Sequence, residues 1–178
     1  MKPYIPIVSP GFIRLVEKLS PLEAVSAATV APFIVSKNPM DTETEIHERT
    51  HIIQQYECGF VMLLITVPML LLFGAPWWLF PVTVLLGFMP IVGGFYLVYW
   101  GQWLYWFLRA RKIPVPGMTA GEMAYYLIAF EREARVAEST PNYLRGRAWF
   151  AWVHITELER GTQTQSYPKK LYNWLNGL

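Results

Sequence analysis

The hydrophobic and polar positions divide this chain into three parts. Between Glu57 and Arg109 there is no Asp, Glu, Lys, Arg or His, whereas charged residues are scattered through the segments on either side. An α-helix rises about 1.5 Å per residue, so roughly fifty residues make about 75 Å, enough for two crossings of a ~30 Å hydrocarbon layer and a turn. The pattern predicts a transmembrane hairpin with spans at residues 60–73 and 82–108. The turn is expected at residues 74–81, which are rich in Pro and Trp.

Helical periodicity continues on the N-terminal side of this segment. From Gly11 onward, apolar residues at spacings of three and four predict a short helix, lying on a membrane surface or on the protein's own core. Thr42, with Glu45 three residues later, forms a capping-box pattern. We therefore expect a helix to begin near Thr42 and to run on into the first span.

The C-terminal side shows the same kind of pattern. Thr119 and Glu122 form a second capping box, which predicts a helix to about Ser139. A last helix is predicted over residues 143–160, because Pro141 ends the helix before it.

One segment of the chain is expected to form a β-strand. The β-branched and aromatic stretch at residues 29–36 is predicted to form one short strand, which Pro32 would restrict to a sheet edge. Residues 3–10 carry three prolines and should be irregular or extended. The fold class is therefore mainly α: a single membrane-anchored domain of residues 1–178. Its parts are an N-terminal segment (1–58), the hairpin (59–108) and C-terminal helices (109–178).

Composition and charge restrict the surroundings and the partners that we expect for the protein. The chain is 53% hydrophobic and 16% charged, against roughly 25% charged residues in ordinary globular domains. A formal charge of +2 is too small to indicate a nucleic-acid partner, and one cysteine excludes an intramolecular disulfide and a cysteine zinc cluster. All fifteen Lys and Arg residues flank the hairpin. The positive-inside rule therefore predicts that both ends of the chain face the cytoplasm, with membrane lipids around the hairpin.

Candidate chemistry lies just before the first span, where residues 47–51 read H-E-R-T-H, an H-E-x-x-H motif. On a helix, His47 and His51 are one turn apart on the same face and can share a metal ion, with Glu48 beside them as a base. A zinc hydrolase needs three protein ligands and one open position. We expect the third ligand from the helix that follows the hairpin, as Glu131 or Glu133.

A di-iron centre is the other metal chemistry that this motif suggests. Glu48 and His51 also form an E-x-x-H, and di-iron bundles use two such motifs on different helices. The remaining histidine is His154, and the residue three before it is Ala151. The second motif is absent, so the pattern favours a single zinc ion.

The two motifs together carry a resemblance to a known class. H-E-x-x-H, a transmembrane hairpin and a helix with E-x-x-A resemble the HtpX and CAAX-prenyl-protease type of membrane zinc peptidases, within the wider gluzincin class. HERTHIIQQYE followed by FEREARVAE is still more similar to small bacterial and phage proteins with a zinc-peptidase site. The resemblance implies Zn²⁺ held by His47, His51 and Glu131, a peptide or membrane-protein substrate, and the bacterial inner membrane. One position departs, because Arg135 stands where the peptidases have an Asp, leaving Glu133 as an alternative ligand or an orienting group.

The expected function is a zinc-dependent metallopeptidase at the membrane interface, with Glu48 as general base. His154 or Tyr126, or the neighbouring Tyr125, would stabilise the oxyanion, and residues 30–35 would pair with the peptide. The alternative is a non-catalytic small membrane protein whose metal site is structural and which acts as a partner or regulator. The small size and Arg135 favour that alternative.

Overall fold

The computed structural model describes residues 4–19, 25–72 and 88–162, with residues 168 and 171. The chain is mainly helical, as predicted. Its strands are β1 (Ile5–Val8), β2 (Ala27–Val30) and β3 (Phe33–Ser36). Its helices are α1 (Pro10–Leu19), α2 (Thr42–Leu72), α3 (Phe88–Lys112), α4 (Ala120–Leu127), α5 (Ala129–Ser139), α6 (Tyr143–Gly146), a 3₁₀ turn (Ala151–His154) and α7 (Ile155–Thr162). The predicted hairpin turn at residues 74–81 lies outside the described residues.

Helix α2 begins at Thr42, but its cap differs from the prediction. The Oδ1 atom of Asp41 accepts a hydrogen bond from the Thr44 backbone N–H at 2.8 Å. Asp41, rather than Thr42, thus satisfies an unpaired amide of the first turn. The Glu45 carboxylate lies 3.8 Å from the Arg49 guanidinium, one turn further along. The side-chain cap is therefore Asp41, one residue before the predicted Thr42, and the predicted start of the helix is right.

Helix α2 continues unbroken for 31 residues. Within the described residues, its stretch Thr42–Met69 is the one helix that is long and apolar enough to cross a membrane. Core helices of soluble proteins can meet the same criterion of length and composition.

Helices α2 and α3 pack closely where α3 carries Gly94. A Cβ atom at Gly94 would lie 2.6 Å from the Met62 Cγ atom and 3.5 Å from the Cys58 backbone oxygen. Glycine therefore permits the two backbones to approach. One residue later, the centroid of the Phe95 ring lies 6.0 Å from that of the His51 ring, so α3 packs beside His51.

A three-stranded sheet packs against the first part of α2. Its strand order is β1-β3-β2, with β1 parallel and β2 antiparallel to β3. The prediction of one edge strand at residues 29–36 is wrong, because Pro32 lies in the two-residue connection that folds the chain back on itself. The segment Phe33–Ser36 is consequently the central strand, and β2 is the edge strand beside α2.

The predicted helix from Thr119 to Ser139 is two helices. Its capping box is confirmed: the Thr119 hydroxyl accepts from the Glu122 N–H, and the Glu122 carboxylate accepts from the Thr119 N–H. The break occurs at Ile128, whose backbone is extended (φ −61°, ψ 126°). There the side-chain oxygen of Gln102, on α3, accepts the Ala129 backbone N–H at 2.8 Å, so a tertiary contact replaces the bond within the helix.

The predicted last helix, residues 143–160, is also interrupted. It consists of α6, the 3₁₀ turn and α7, with residues 147–150 outside all three. Phe150 has a left-handed backbone (φ 56°), and its N–H donates to Glu57 Oε1 at 2.8 Å. Pairing with Glu57 on α2 therefore takes the place of helix continuation.

Candidate metal centre

Two turns of α2 and the start of α5 bring three potential ligands together. His47 and His51 lie one turn apart, with their Nε2 atoms 3.1 Å from each other. Glu131, in the first turn of α5, places Oε2 3.4 Å from His47 Nε2 and Oε1 3.5 Å from His51 Nε2. One ligand atom from each residue lies within 4.8 Å of the others. The break at Ile128 lets α5 start at this point.

The outer nitrogen of each imidazole has its own acceptor. His47 Nδ1 lies 3.0 Å from Glu138 Oε2, and His51 Nδ1 lies 2.7 Å from Gln54 Oε1. Because carboxylate and amide oxygens are acceptors, each ring carries its proton on Nδ1 in the neutral form. The Nε2 lone pairs are then directed at the same small region as the Glu131 carboxylate.

These residues fit a metal ion. Glu131 Oε2 is buried and, among the described residues, has no hydrogen-bond partner. The two Nε2 atoms and the Glu131 carboxylate oxygens lie 3.1 to 3.5 Å from one another. With both histidines neutral, a metal cation there would take the two nitrogen lone pairs and balance the carboxylate charge. Two imidazoles and one carboxylate are also the ligand set that catalytic zinc takes.

Positive charge around Glu131 keeps its carboxyl group ionised. Burial alone would raise the pKa of Glu131, but positive charge on His51, His47 and Arg135 outweighs burial and holds the pKa well below its usual range. The other oxygen, Oε1, accepts a hydrogen bond from the Tyr99 hydroxyl at 2.9 Å. Glu131 is therefore an oriented anion, as a metal ligand must be.

Arg135 lies directly beside this carboxylate. Its Nη1 atom is 3.8 Å from Glu131 Oε2, and its guanidinium stacks over the Tyr126 and Tyr125 rings at 4.9 and 5.4 Å. Glu138, nearly one further turn along α5, provides the carboxylate that holds His47.

Glu48 is held next to the two histidines by the edge strand of the sheet. Its carboxylate accepts a hydrogen bond from the Thr29 hydroxyl on β2. The Gln55 side chain fixes β2 in turn, donating to the Thr29 carbonyl at 2.9 Å and accepting from the Ala31 N–H at 2.8 Å. Strand β2 and helix α2 thus meet at Glu48.

A cavity of about 280 Å³ opens over these groups. Its polar wall contains both histidines, Glu48, Thr29, Gln55 and Glu131, and the rest is mostly aromatic or aliphatic. The residues lining that second part are Val16, Val25, Ala27, Ala28, Phe95, Tyr96, Tyr99, Trp100, Trp103 and Tyr125. The arrangement offers an apolar site directly beside a potential metal ion and a carboxylate base.

Glu133 lies in a different cluster, away from the histidines. Its carboxylate is fully buried and accepts hydrogen bonds from Arg147 Nε at 2.6 Å, the Tyr143 hydroxyl at 2.8 Å and Gln54 Nε2 at 2.9 Å. The structure thus brings Glu131, and not the alternative Glu133, to His47 and His51. Glu133 instead orients Gln54, which orients His51.

The two residues suggested for the oxyanion lie elsewhere. The His154 side chain is 70% exposed, and its Nδ1 atom lies 3.7 Å from the Glu157 carboxylate. Tyr126 packs with Met123 and Leu127 and is not among the residues that line the cavity. Tyr125 does line the cavity, and burial followed by the negative charge of Glu131 raises its pKa well above the usual value. Its hydroxyl therefore keeps its proton and can donate.

Sequence reasoning missed Glu138, Gln54, Tyr99 and Arg147. Glu138 could have been found from the sequence, because it follows Glu131 by seven residues. Seven residues are two helical turns, which place both side chains on one face of the helix. Tyr99 and Arg147 reach the site through packing of distant segments, for which the sequence carries no local signal. Comparison of the chain with protein-family models, with curated proteins and with solved structures finds no match.

Proposed function

We propose that the protein is a zinc-dependent metallopeptidase at a membrane interface. The observation that carries the proposal is the convergence of His47, His51 and the buried Glu131 carboxylate beside Glu48, in one cavity. A bound zinc ion would supply Lewis-acid chemistry, polarising the scissile carbonyl and lowering the pKa of water toward about 7.

The chain's own residues would perform the proton transfers and the positioning. Glu48 would accept a proton from the attacking water at its carboxylate and deliver it to the leaving amine. The Thr29 hydroxyl donates to Glu48 and keeps the carboxylate directed at the cavity. Glu138 and Gln54 would keep the two histidines in the tautomer that leaves Nε2 available.

Tyr125 and β2 would position the substrate. In place of Tyr126 and His154, Tyr125 lines the cavity and is the better donor to a developing oxyanion. Residues Ala27–Thr29 of the edge strand β2 line the cavity, so an extended peptide could lie along Ala27 and Ala28. The Thr29 carbonyl is already bonded to Gln55 and Tyr96. This placement of the peptide refines the expected pairing segment from residues 30–35 to β2.

Two membrane crossings are part of the proposal. Helix α2 has the length and composition of a span, and α3 carries exposed apolar residues such as Leu97 and Leu104. Helix α3 ends in Arg109, Arg111 and Lys112. By the positive-inside rule these residues would lie in the cytoplasm of a bacterial cell, with the metal centre on the same side.

Hydrolysis of denatured casein by the zinc-loaded protein in detergent tests the proposal. We expect zinc-dependent cleavage that Glu48→Gln lowers by at least a hundredfold, while Glu157→Gln, an exposed acidic residue on α7, leaves it unchanged. The alternative is a non-catalytic membrane protein with a structural metal site, and the nearby Arg135, which partly neutralises Glu131, favours it. Zinc bound stoichiometrically without cleavage of any peptide would establish that alternative.

A further inference from the structure

Helix α1 has an apolar face that the described residues leave exposed. Ile13 is fully buried and Glu17 accepts a hydrogen bond from the Val25 N–H, so these two residues mark the side facing the protein. Phe12 and Leu15 lie on another side and are 41% and 54% exposed. On the neighbouring strand β1, Ile5 and Val8 are also exposed.

Basic residues border this face. Arg14 and Lys18 on α1 are both exposed. At about 100° per residue, Arg14 and Lys18 project beside Leu15, from the side of the helix opposite Val16. An apolar face with adjacent basic residues suits a helix lying in the plane of a membrane, with apolar side chains among the acyl chains and cations at the phosphate groups.

The same helix forms part of the cavity rim. Val16 lines the cavity from α1, and Trp100 lines it from α3 while remaining 48% exposed. Trp100 belongs to a row at helical spacing on α3, which also contains the exposed residues Leu97, Leu104 and Leu108. Exposed apolar surface therefore adjoins the cavity on both the α1 and α3 sides.

We propose that α1 and β1 dock in the plane of one leaflet of a lipid bilayer, so that the cavity rim between Val16 and Trp100 meets the lipid. Arg14 and Lys18 contact lipid phosphates, and Phe12 and Leu15 insert below them. A substrate reaches the metal centre from the bilayer surface through an apolar entrance. The docking of α1 rests on the proposed membrane placement of α2 and α3, and the route of the substrate rests also on the proposed metal chemistry.

Lipid-quenching measurements on the full chain in nanodiscs test the proposal. An environment-sensitive fluorophore is attached at Leu15→Cys on α1, at Leu64→Cys on the exposed side of α2, and at Glu157→Cys on α7. The native Cys58 is buried, and the labelled wild type measures its background. Lipids carrying a spin label near the headgroup or deep in the acyl chain act as quenchers.

We expect the shallow quencher to lower the Leu15→Cys signal at least twofold and the deep quencher to act mainly at Leu64→Cys, with neither affecting Glu157→Cys. Quenching at Leu64→Cys without quenching at Leu15→Cys would overturn the α1 docking and leave the membrane crossing intact. No quenching at either would overturn both. Protection of Leu15→Cys from lipid quenchers and from aqueous iodide alike would show that a protein, such as a second copy, covers this face.

Discussion

His47 Nδ1 on α2 lies 3.0 Å from Glu138 Oε2 on α5. This contact gives His47 a carboxylate partner on α5. Glu138 follows Arg135 by three residues, so it lies nearly one helical turn further along the same face of α5. Glu138 is therefore the carboxylate that fixes the outer nitrogen of His47.

Replacing Glu138 tests whether His47 needs this carboxylate to bind zinc. Glu138→Gln keeps the side chain's size but removes the charge that holds His47, so we expect zinc affinity to fall about ten- to a hundredfold. Competition with a chelator of known affinity measures the change, with Glu157→Gln as the matched acidic control on an exposed helix surface. Unchanged affinity in Glu138→Gln would show that His47 needs no such partner.

Arg147 joins two buried carboxylates behind the metal centre. Its guanidinium contacts Glu57 and Glu133, and the three side chains are at most 4% exposed. Because Arg147→Ala would leave both carboxylates buried without their cation, we expect a loss of about 3–5 kcal/mol in the free energy of unfolding. Denaturant titration in mild detergent measures it. The nearby exposed Arg145→Ala should change stability by less than about 0.5 kcal/mol, and equal losses in the two variants would contradict this assignment.

Gly94 and Gly101 offer a matched pair on α3. A methyl group at Gly94 would collide with Met62, whereas Gly101 has no atom within 4 Å of the same position. We expect Gly94→Ala to destabilise the protein by about 1–3 kcal/mol through overpacking. Gly101→Ala should stabilise it by about 0.5–1 kcal/mol, because alanine loses less backbone entropy. Thermal unfolding in detergent measures both, and a Gly94→Ala variant as stable as Gly101→Ala would argue against the close approach of α2 and α3.

Sequence reasoning succeeded where the signal is local. The start of α2 at Thr42 and the capping box at Thr119 follow from residues within one turn of each end. The spacing of His47 and His51 on one helix face likewise needs only helical geometry. Local periodicity also indicated the mainly helical class.

The misses share a physical cause, which is pairing with distant residues. Nothing near Ile128 announces a helix break, because the acceptor that stabilises it is Gln102, 27 residues before Ala129. The break after α6 similarly depends on Glu57. Pro32 was read as a restriction on one strand, although it connects two strands that only the folded sheet brings together.

The metal content of purified variants tests the central claim most directly. Elemental analysis is carried out on wild type, His47→Ala, Glu131→Gln and Glu133→Gln after zinc loading and dialysis, with circular dichroism to verify folding. The account predicts one zinc per wild-type chain, less than a tenth of that in His47→Ala and Glu131→Gln, and a full equivalent in Glu133→Gln. Folded wild type without zinc, or loss of zinc in Glu133→Gln but not in Glu131→Gln, would contradict it.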